Sequence, residues 1–162
     1  MGMYTVVQKG PLTVVGIICR TSNAADAGTH DIPRHWQRFA SEGVANNISN
    51  KASDDVLALY CEYDGDYTQP YSFLIGCPVH STKDIPPGFV AVTIPGGFYA
   101  KFCAQGEYPQ SVVTTWGEIW QQSALRSRAR IKRAYTCDFE VYTKDFFSGE
   151  SQSVDIFVAK RL

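Results

Sequence analysis

The chain has 162 residues, of which 44% are hydrophobic and 19% charged, and its 15 basic and 16 acidic side chains leave a net charge of −1. A chain of this length buries roughly two-thirds of the surface that its unfolded form exposes, which is enough for one well-packed domain over residues 1–162. The near-zero charge excludes a global field that would attract nucleic acid or an anionic membrane, so partners must be selected by a local site.

The cysteines and the N-terminus indicate where the protein resides. The five cysteines are an odd number and lie scattered through apolar stretches. This pattern favours buried free thiols in a reducing compartment over a disulfide framework. The N-terminus lacks a charged region followed by a long apolar segment, and no run approaches the ~18 apolar residues of a membrane span. We therefore expect a cytoplasmic protein without membrane contact.

The first half of the chain predicts a strand, a helix and two more strands. Period-2 alternation and β-branched residues indicate strands over 12–19, 56–63 and 71–79. Apolar residues at helical spacing predict a helix over 32–48, and Asp31, which precedes Pro33, is its expected N-cap.

The second half repeats this order. A strand pair hinged at Pro95-Gly96-Gly97 is expected over 89–104, followed by a helix over 110–124 with Ser111 as its N-cap, and by strands over 134–143 and 154–160. The two repeats cover about 10–80 and 88–162. Together they predict an α+β fold with pseudo-two-fold symmetry, a mostly antiparallel sheet, two amphipathic helices and a central groove.

The strand near residue 140 carries the candidate charged group. Glu140 and Tyr142 share one face of this strand, whereas Phe139 and Val141 point to the opposite, apolar face. No basic residue lies within three positions of Glu140, an arrangement suited to receiving a positive charge from outside the protein. From the strand alone, a solvated sheet glutamate remains the commoner alternative. In an apolar pocket, desolvation would raise the pKa of Glu140, and a bound cation would restore its ionisation.

Aromatic side chains supply candidate walls for such a pocket. Cation–π contacts contribute on the order of 0.5–2 kcal/mol each and a charged contact about 1.5–3 kcal/mol, so micromolar binding, about −8 kcal/mol, is attainable. The same residues lie on apolar helix stripes and sheet faces, where packing in the core is the alternative role. The candidates are Trp36, Phe39, Trp116 and Trp120 on the helices and, more weakly, Tyr60, Tyr63, Tyr71, Phe73 and Tyr99 on the strands.

Other chemistry has little support. The spacing of His30 and His35 matches no metal-ligand set and His80 stands alone, so no metal is expected. The chain has neither a nucleophile elbow nor a glycine loop that opens a helix, and we expect no cofactor. The basic run at 126–133 is interpreted as a solvated linker beside a helix C-terminus rather than a nucleic-acid or acidic-protein contact.

Several short motifs in order along the chain resemble one family. They are Tyr71-Ser-Phe-Leu-Ile-Gly76, Ile94-Pro-Gly-Gly-Phe-Tyr-Ala100, Gly106-Glu-Tyr-Pro109, Trp116-Gly-Glu-Ile-Trp120 and Phe139-Glu-Val-Tyr142. Over about 12–160 the chain resembles the GyrI-like effector-binding domain, the ligand-sensing part of AraC-type and MerR-type multidrug regulators. The resemblance implies a pocket for lipophilic cations in which Glu140 meets the positive charge. Because the sequence leaves no room for a helix-turn-helix domain, the chain resembles solitary members, including those encoded by mobile integron cassettes.

Three functions from different classes follow from these observations. The leading one is a non-enzymatic binding module for amphipathic aromatic cations, which senses or sequesters drugs and has an accessory role in transcription regulation. By resemblance, the alternatives are a hydrolase of electrophilic small molecules with Glu140 as general base, and a protein-interaction module acting on DNA gyrase. We expect no direct contact with nucleic acid, leave a protein partner open, and expect a monomer or weak homodimer.

Overall fold

The computed structural model describes residues 4–24, 27–125 and 130–162. Within these residues, eight strands and three α-helices follow one another, and their bounds define the labels used below. The elements are β1 (Thr5–Lys9), β2 (Leu12–Thr21), α1 (Ala27–Ser41), a short 3-10 helix (Val44–Asn47), β3 (Val56–Cys61), β4 (Tyr71–Val79), β5 (Val90–Ile94), β6 (Gly97–Ala104), α2 (Gln110–Ala124), β7 (Cys137–Tyr142), α3 (Lys144–Ser148) and β8 (Val154–Ala159).

The strands form one antiparallel sheet in the order β1-β6-β8-β7-β3-β4-β2-β5. Exchanging β1 with β5, β2 with β6, β3 with β7 and β4 with β8 gives the same order read from the opposite edge of the sheet. The pseudo-two-fold axis therefore passes between β3 and β7. The predicted α+β fold with two repeats is confirmed. The first repeat, however, also includes β1, which the sequence analysis missed because this short strand lies at the sheet edge and its side chains are exposed or half-buried.

Two short links force the sheet to curl. In a flat sheet, β5 would lie six strand spacings from β6, roughly 29 Å away. Only Pro95 and Gly96 separate the two strands, and three Cα steps reach about 11 Å at most. Gly96 also lies against the equivalent link between β1 and β2, with its Cβ position 3.1 Å from Pro11 Cδ. The prediction that β5 and β6 pair with each other is therefore wrong, because they lie toward opposite edges of a curled sheet.

Buried side chains occupy both faces of the sheet. The helix-side core, which also receives α1 and α2, contains alternate residues of the central strands, and the inner core lies within the curl and contains the residues between them. Representative members of the helix-side core are Phe39, Phe73, Ile75, Phe102, Ile119 and Ile156, and those of the inner core are Leu57, Leu59, Leu74, Tyr99, Phe139 and Phe157. The predicted opposite orientations of Tyr142 and Phe139 are confirmed, since they belong to different cores.

Gly16 on β2 and Gly76 on β4 lie directly opposite each other on neighbouring strands. A Cβ on Gly16 would lie 2.0 Å from the Ile75 carbonyl oxygen, and one on Gly76 would lie 2.1 Å from that of Val15. Real side chains do not approach backbone atoms so closely. The two backbones therefore require glycine at both positions.

The predicted start of α1 and the predicted N-caps of both helices need correction, whereas the predicted bounds of α2 are confirmed. Helix α1 begins at Ala27, so Pro33 lies inside it and Asp31 is not its N-cap; the Asp31 carboxylate instead accepts a hydrogen bond from Thr21 Oγ1 at 3.0 Å. A proline inside a helix removes one backbone hydrogen bond but keeps a helical φ, so residue type alone did not locate the boundary. Helix α2 begins at Gln110, and Ser111 lies within its first turn, where the buried Ser111 Oγ has no partner among the described residues.

Strand boundaries follow backbone conformation. β3 ends at Cys61 because Glu62 has a φ of 50°, and β7 begins at Cys137, shortly after Tyr135 with a φ of 55°. A left-handed residue cannot continue a strand, so the predicted strands over 56–63 and 134–143 are shorter than expected. The helix α3 was also missed; it ends at Gly149, whose φ of 83° lies in the left-handed region.

The described residues contain no helix long and apolar enough to cross a membrane. The five cysteines are free thiols. Cys61, Cys77 and Cys137 are buried and Cys19 is half-buried, but Cys103 is exposed, which corrects the expectation that every thiol is buried.

Candidate functional site

A cavity of about 630 Å³ lies on the helix side of the sheet, between α1 and α2. Its volume is within the usual range for sites that hold small organic molecules. Helices, strands and loops of both repeats contribute to the lining. The lining residues are Asn23, Ala24, Ile32, Pro33, Trp36, Tyr60, Tyr63, Tyr67, Tyr71, Tyr108, Pro109, Val112, Val113, Trp116, Trp120, Arg133, Glu140 and Tyr142.

Glu140 lies in the middle of β7 and is only 1% exposed. Its Oε1 accepts a hydrogen bond from Tyr142 Oη at 2.6 Å, and its Oε2 accepts from Tyr60 Oη and Trp116 Nε1, both at 2.7 Å. All three donors are neutral groups. Among the described residues, no basic side chain forms an ion pair with this carboxylate. The cavity therefore contains a buried acid that is hydrogen-bonded but not neutralised.

Burial controls the protonation of Glu140. Desolvation raises the pKa of the carboxyl group above its ordinary value, while the hydrogen bonds from Tyr142, Tyr60 and Trp116 act in the opposite direction without cancelling the rise. The pKa values of the Tyr60 and Tyr142 hydroxyls are raised well above normal, first by burial and then by the nearby Glu140 charge. The tyrosines thus remain protonated donors.

A second buried carboxylate, Asp138, lies two residues earlier on the same face of β7. Unlike Glu140, it has a basic partner: Arg133 Nη2 lies 2.6 Å from Asp138 Oδ2, and both side chains are almost fully buried. Asp138 also accepts hydrogen bonds from Tyr63 Oη at 2.6 Å and from the Ala159 backbone N–H at 2.7 Å. One strand therefore carries one neutralised acid and one acid without a counter-charge.

The aromatic walls of the cavity support one another. Trp36 makes an edge contact with Tyr142, at 4.9 Å between ring centroids, and Tyr60 does the same with Trp116 at 5.0 Å. Tyr67 stacks on Trp120, with an interplanar angle of 9°. Such contacts hold the rings in defined orientations. All three tryptophans of the chain line the cavity.

Eight of the eleven candidate ligand-binding residues line the cavity, namely Trp36, Tyr60, Tyr63, Tyr71, Trp116, Trp120, Glu140 and Tyr142. The other three do not line it, which corrects their predicted position. Phe39 and Phe73 pack in the helix-side core, where Phe73 contacts the rings of His35 and Tyr60. Tyr99 lies in the inner core on the opposite face of the sheet, where its hydroxyl donates to the Pro95 carbonyl.

The sequence analysis missed two kinds of lining residue. Tyr67 and Tyr108 lie in connections without periodicity, so no pattern marked them. Arg133 was assigned to a solvated linker but is buried beside Asp138, while residues 126–129 of that basic run lie outside the described residues. Asp138, on the same strand face as Glu140, could have indicated the burial of Arg133, because a buried carboxylate requires a partner.

The described residues hold no group of three or more His, Cys, Asp or Glu side chains that could bind a metal ion. His35 is a core residue, with Nε2 2.8 Å from the Ile17 carbonyl oxygen. Burial lowers the pKa of His35.

An aromatic cavity with a buried acid at its base, formed by two pseudo-symmetric repeats, defines a small-molecule-binding domain of the effector-binding class. The chain belongs to the family described as Cass2, integron-associated effector binding protein, whose model matches residues 5–159. The resemblance to the GyrI-like domain is thereby confirmed.

Similar proteins cover almost the whole chain. YobU of Bacillus subtilis (strain 168), whose name describes it as a candidate transcriptional regulator, is 30% identical over 163 residues and matches 98% of each chain. Integron cassette protein VCH_CASS2 from the mobile metagenome of Vibrio cholerae is 29% identical, with a TM-score of 0.76 over 99% of this chain and 97% of that one. SAV2435, solved bound to tetraphenylphosphonium, is 22% identical, with a TM-score of 0.78 over 98% and 94%.

Proposed function

We propose that the protein is a stand-alone binding module for lipophilic aromatic cations, in which Glu140 provides the counter-charge. The observation that carries this proposal is the contrast within β7: Asp138 has Arg133 as a partner, whereas the groups that donate to Glu140 among the described residues are all neutral. A cation that enters the cavity supplies the missing charge.

The physical environment supports a charged aromatic ligand. The attraction between Glu140 and a cation is stronger in a buried, water-poor site than in water. Ring faces of Trp36, Trp116 and Trp120 add cation–π attraction and bury the ligand's apolar surface. Neutral tyrosine and tryptophan donors orient the carboxylate without competing for its charge.

Two similar proteins agree with this proposal. SAV2435 was solved with tetraphenylphosphonium, a lipophilic aromatic cation, and the name of YobU refers to transcriptional regulation. At 22% identity the likeness to SAV2435 shows the fold alone, so the ligand class is proposed here from the geometry of Glu140. We include drug sensing or sequestration, with an accessory role in transcription regulation, in the proposed function. The free thiols support a cytoplasmic site of action.

The geometry favours binding over catalysis. A general base needs a free lone pair directed at the proton that it removes. Glu140 has about four lone-pair positions, and three of them accept hydrogen bonds from the protein, so at most one is left for a proton and the three donors fix its direction. We therefore propose that the protein is not a hydrolase. Hydrolysis of an epoxide by the wild type but not by Glu140→Gln would contradict this part of the proposal.

Intrinsic fluorescence provides the direct test, because every tryptophan lines the cavity. Wild-type protein is titrated with tetraphenylphosphonium, with 1-methyl-4-phenylpyridinium and with 4-methylbiphenyl, the neutral isostere of the second compound. We expect saturable quenching by both cations at micromolar concentrations and much weaker binding of the neutral compound. A flat response to both cations, or equal affinity for the charged and neutral isosteres, would refute the proposal.

A further inference from the structure

Arg133 contributes an incompletely used guanidinium group to the cavity wall. Its side chain is 1% exposed, and its Nη2 is engaged by Asp138 at 2.6 Å. Its Nε and Nη1 atoms have no hydrogen-bond partner among the described residues. A guanidinium group carries five N–H donors, so a substantial part of its donor capacity remains unused in a buried position.

The position of this guanidinium group is fixed by its surroundings. Asp138, which holds it, is itself held by the Tyr63 hydroxyl and the Ala159 backbone N–H. The Arg133 guanidinium lies 4.4 Å from the Tyr135 ring and 5.9 Å from the Trp116 ring. A buried donor without a partner is unfavourable, and here it cannot easily turn toward another acceptor. The unused donors are therefore pre-positioned for a group that enters the cavity.

Arg133 and the candidate cation site belong to the same wall. Trp116 contacts both groups, because its Nε1 donates to Glu140 while its ring lies against the Arg133 guanidinium. Asp138, which holds Arg133, and Glu140 are two residues apart on one strand face, so their Cα atoms are about 7 Å apart. Arg133 and Glu140 both line the cavity, so a single small molecule can contact both.

We propose that Arg133 is a second recognition point, which donates hydrogen bonds from Nε and Nη1 to a neutral acceptor oxygen on the same ligand whose positive charge meets Glu140. This inference rests on the proposed function and narrows the ligand class to aromatic cations that also carry a neutral carbonyl-type oxygen. The acceptor is neutral because Asp138 already balances the Arg133 charge. A ligand carboxylate would add a third negative group beside Asp138 and Glu140.

A matched pair of cations tests the inference. The probes are 4-benzoyl-1-methylpyridinium and 4-benzyl-1-methylpyridinium, which differ in a carbonyl and a methylene group between the same rings. We expect the ketone to bind the wild-type protein about tenfold more tightly, as a hydrogen bond from a charged donor provides. In the double variant Arg133→Met/Asp138→Asn the ratio of the two affinities should fall to about one.

The double variant avoids a buried carboxylate without a cation, which Arg133→Met alone would leave. Because the two probes are compared within each protein, a general change in affinity cancels. A second measurement needs only the wild type. The resonance of a ¹³C-labelled ketone carbon should stay at its aqueous position or move downfield on binding, because water already donates to the free ketone and Arg133 replaces that donor. An upfield shift, which marks a carbonyl without a donor, would overturn the inference even if the double variant fails to fold.

The outcomes separate this inference from the proposed function. Equal affinity of the two probes for the wild type, or an unchanged ratio in the double variant, overturns the role of Arg133 while cation binding stands. The same conclusion follows if tetraphenylphosphonium binds but neither probe does. If none of the three cations binds, the proposed function fails as well.

Discussion

Replacement of Glu140 by glutamine isolates the contribution of charge to ligand binding. The glutamine amide oxygen, placed where Oε2 now lies, accepts the hydrogen bonds from Tyr60 and Trp116. The amide nitrogen then donates to the Tyr142 hydroxyl, which now donates to Oε1. Shape and hydrogen bonding are therefore retained, and only the negative charge is lost.

The expected loss of affinity equals the contribution of the contact between the Glu140 carboxylate and the cation. A cation in contact with a buried carboxylate gains about 1.5–3 kcal/mol, and 1.4 kcal/mol corresponds to tenfold in affinity. We therefore expect Glu140→Gln to weaken binding of 1-methyl-4-phenylpyridinium by about 10- to 150-fold. Binding of neutral 4-methylbiphenyl should change by less than about threefold, because its apolar contacts are unaffected.

Tryptophan fluorescence measures both affinities, and Glu150→Gln is the matched control. Glu150 is exposed and does not line the cavity, so this variant removes the same formal charge without altering the site. It should bind both compounds as the wild type does. Equal loss of affinity in Glu150→Gln would show that net charge, rather than the Glu140 contact, governs binding. Unchanged cation affinity in Glu140→Gln would refute the assigned role of Glu140.

Three further predictions concern protonation and packing. Because burial raises the pKa of Glu140 in the free protein, cation affinity should fall about tenfold per pH unit below that pKa and level off above it. Cation binding should also release protons, which calorimetry in buffers of different ionisation enthalpy measures. Glu140→Gln should show neither the pH dependence nor the proton release. Without ligand, the raised folded-state pKa stabilises the protein below the unfolded-state pKa, and this contribution is lost as pH rises through the folded-state pKa. Glu140→Gln should therefore have a higher Tm than the wild type at neutral pH, by roughly 3–5 °C for each unit of the shift, and the difference should close in acid; a constant difference would contradict the assignment. Gly76→Ala should lower the free energy of unfolding, measured by denaturant titration, by about 1–3 kcal/mol because the added Cβ meets the Val15 carbonyl oxygen. Gly117→Ala on α2 is the control: the space around its Cβ is open, so it should not destabilise the protein in the same titration.

Local periodicity was sufficient to predict the arrangement around Glu140. A strand has a side-chain period of two, so Glu140 and Tyr142 had to share one face and Phe139 had to occupy the other. The helices likewise carried Trp36 and Trp116 on their apolar stripes. Which face of the sheet these stripes pack against depends on the rest of the chain, and in the structure Trp36 and Trp116 lie on the same side as Glu140.

Features that depend on distant contacts could not be predicted in this way. The curl of the sheet follows from which strands the short links join, and neither link shows this in its own residues. Arg133 reaches the cavity because the chain turns at Tyr135, which has a φ of 55°, and brings the guanidinium back onto β7. A basic residue next to other basic residues gives no local sign of burial.

Asp138 pairs with Arg133, and this difference from Glu140 affects stability as well as binding. Both carboxylates are buried on one face of β7, and a chain selected for stability alone would pair or replace both of them. Within the part of the chain that the structure describes, Asp138 has a basic partner and Glu140 has none, so ionised Glu140 retains an unfavourable desolvation free energy in the unliganded protein. A cationic ligand recovers that free energy, whereas a neutral isostere of the same shape does not. The desolvation free energy of ionised Glu140 is therefore itself a source of selectivity for cations. Glu140→Gln, which should stabilise the free protein, should also lose discrimination between cations and neutral compounds.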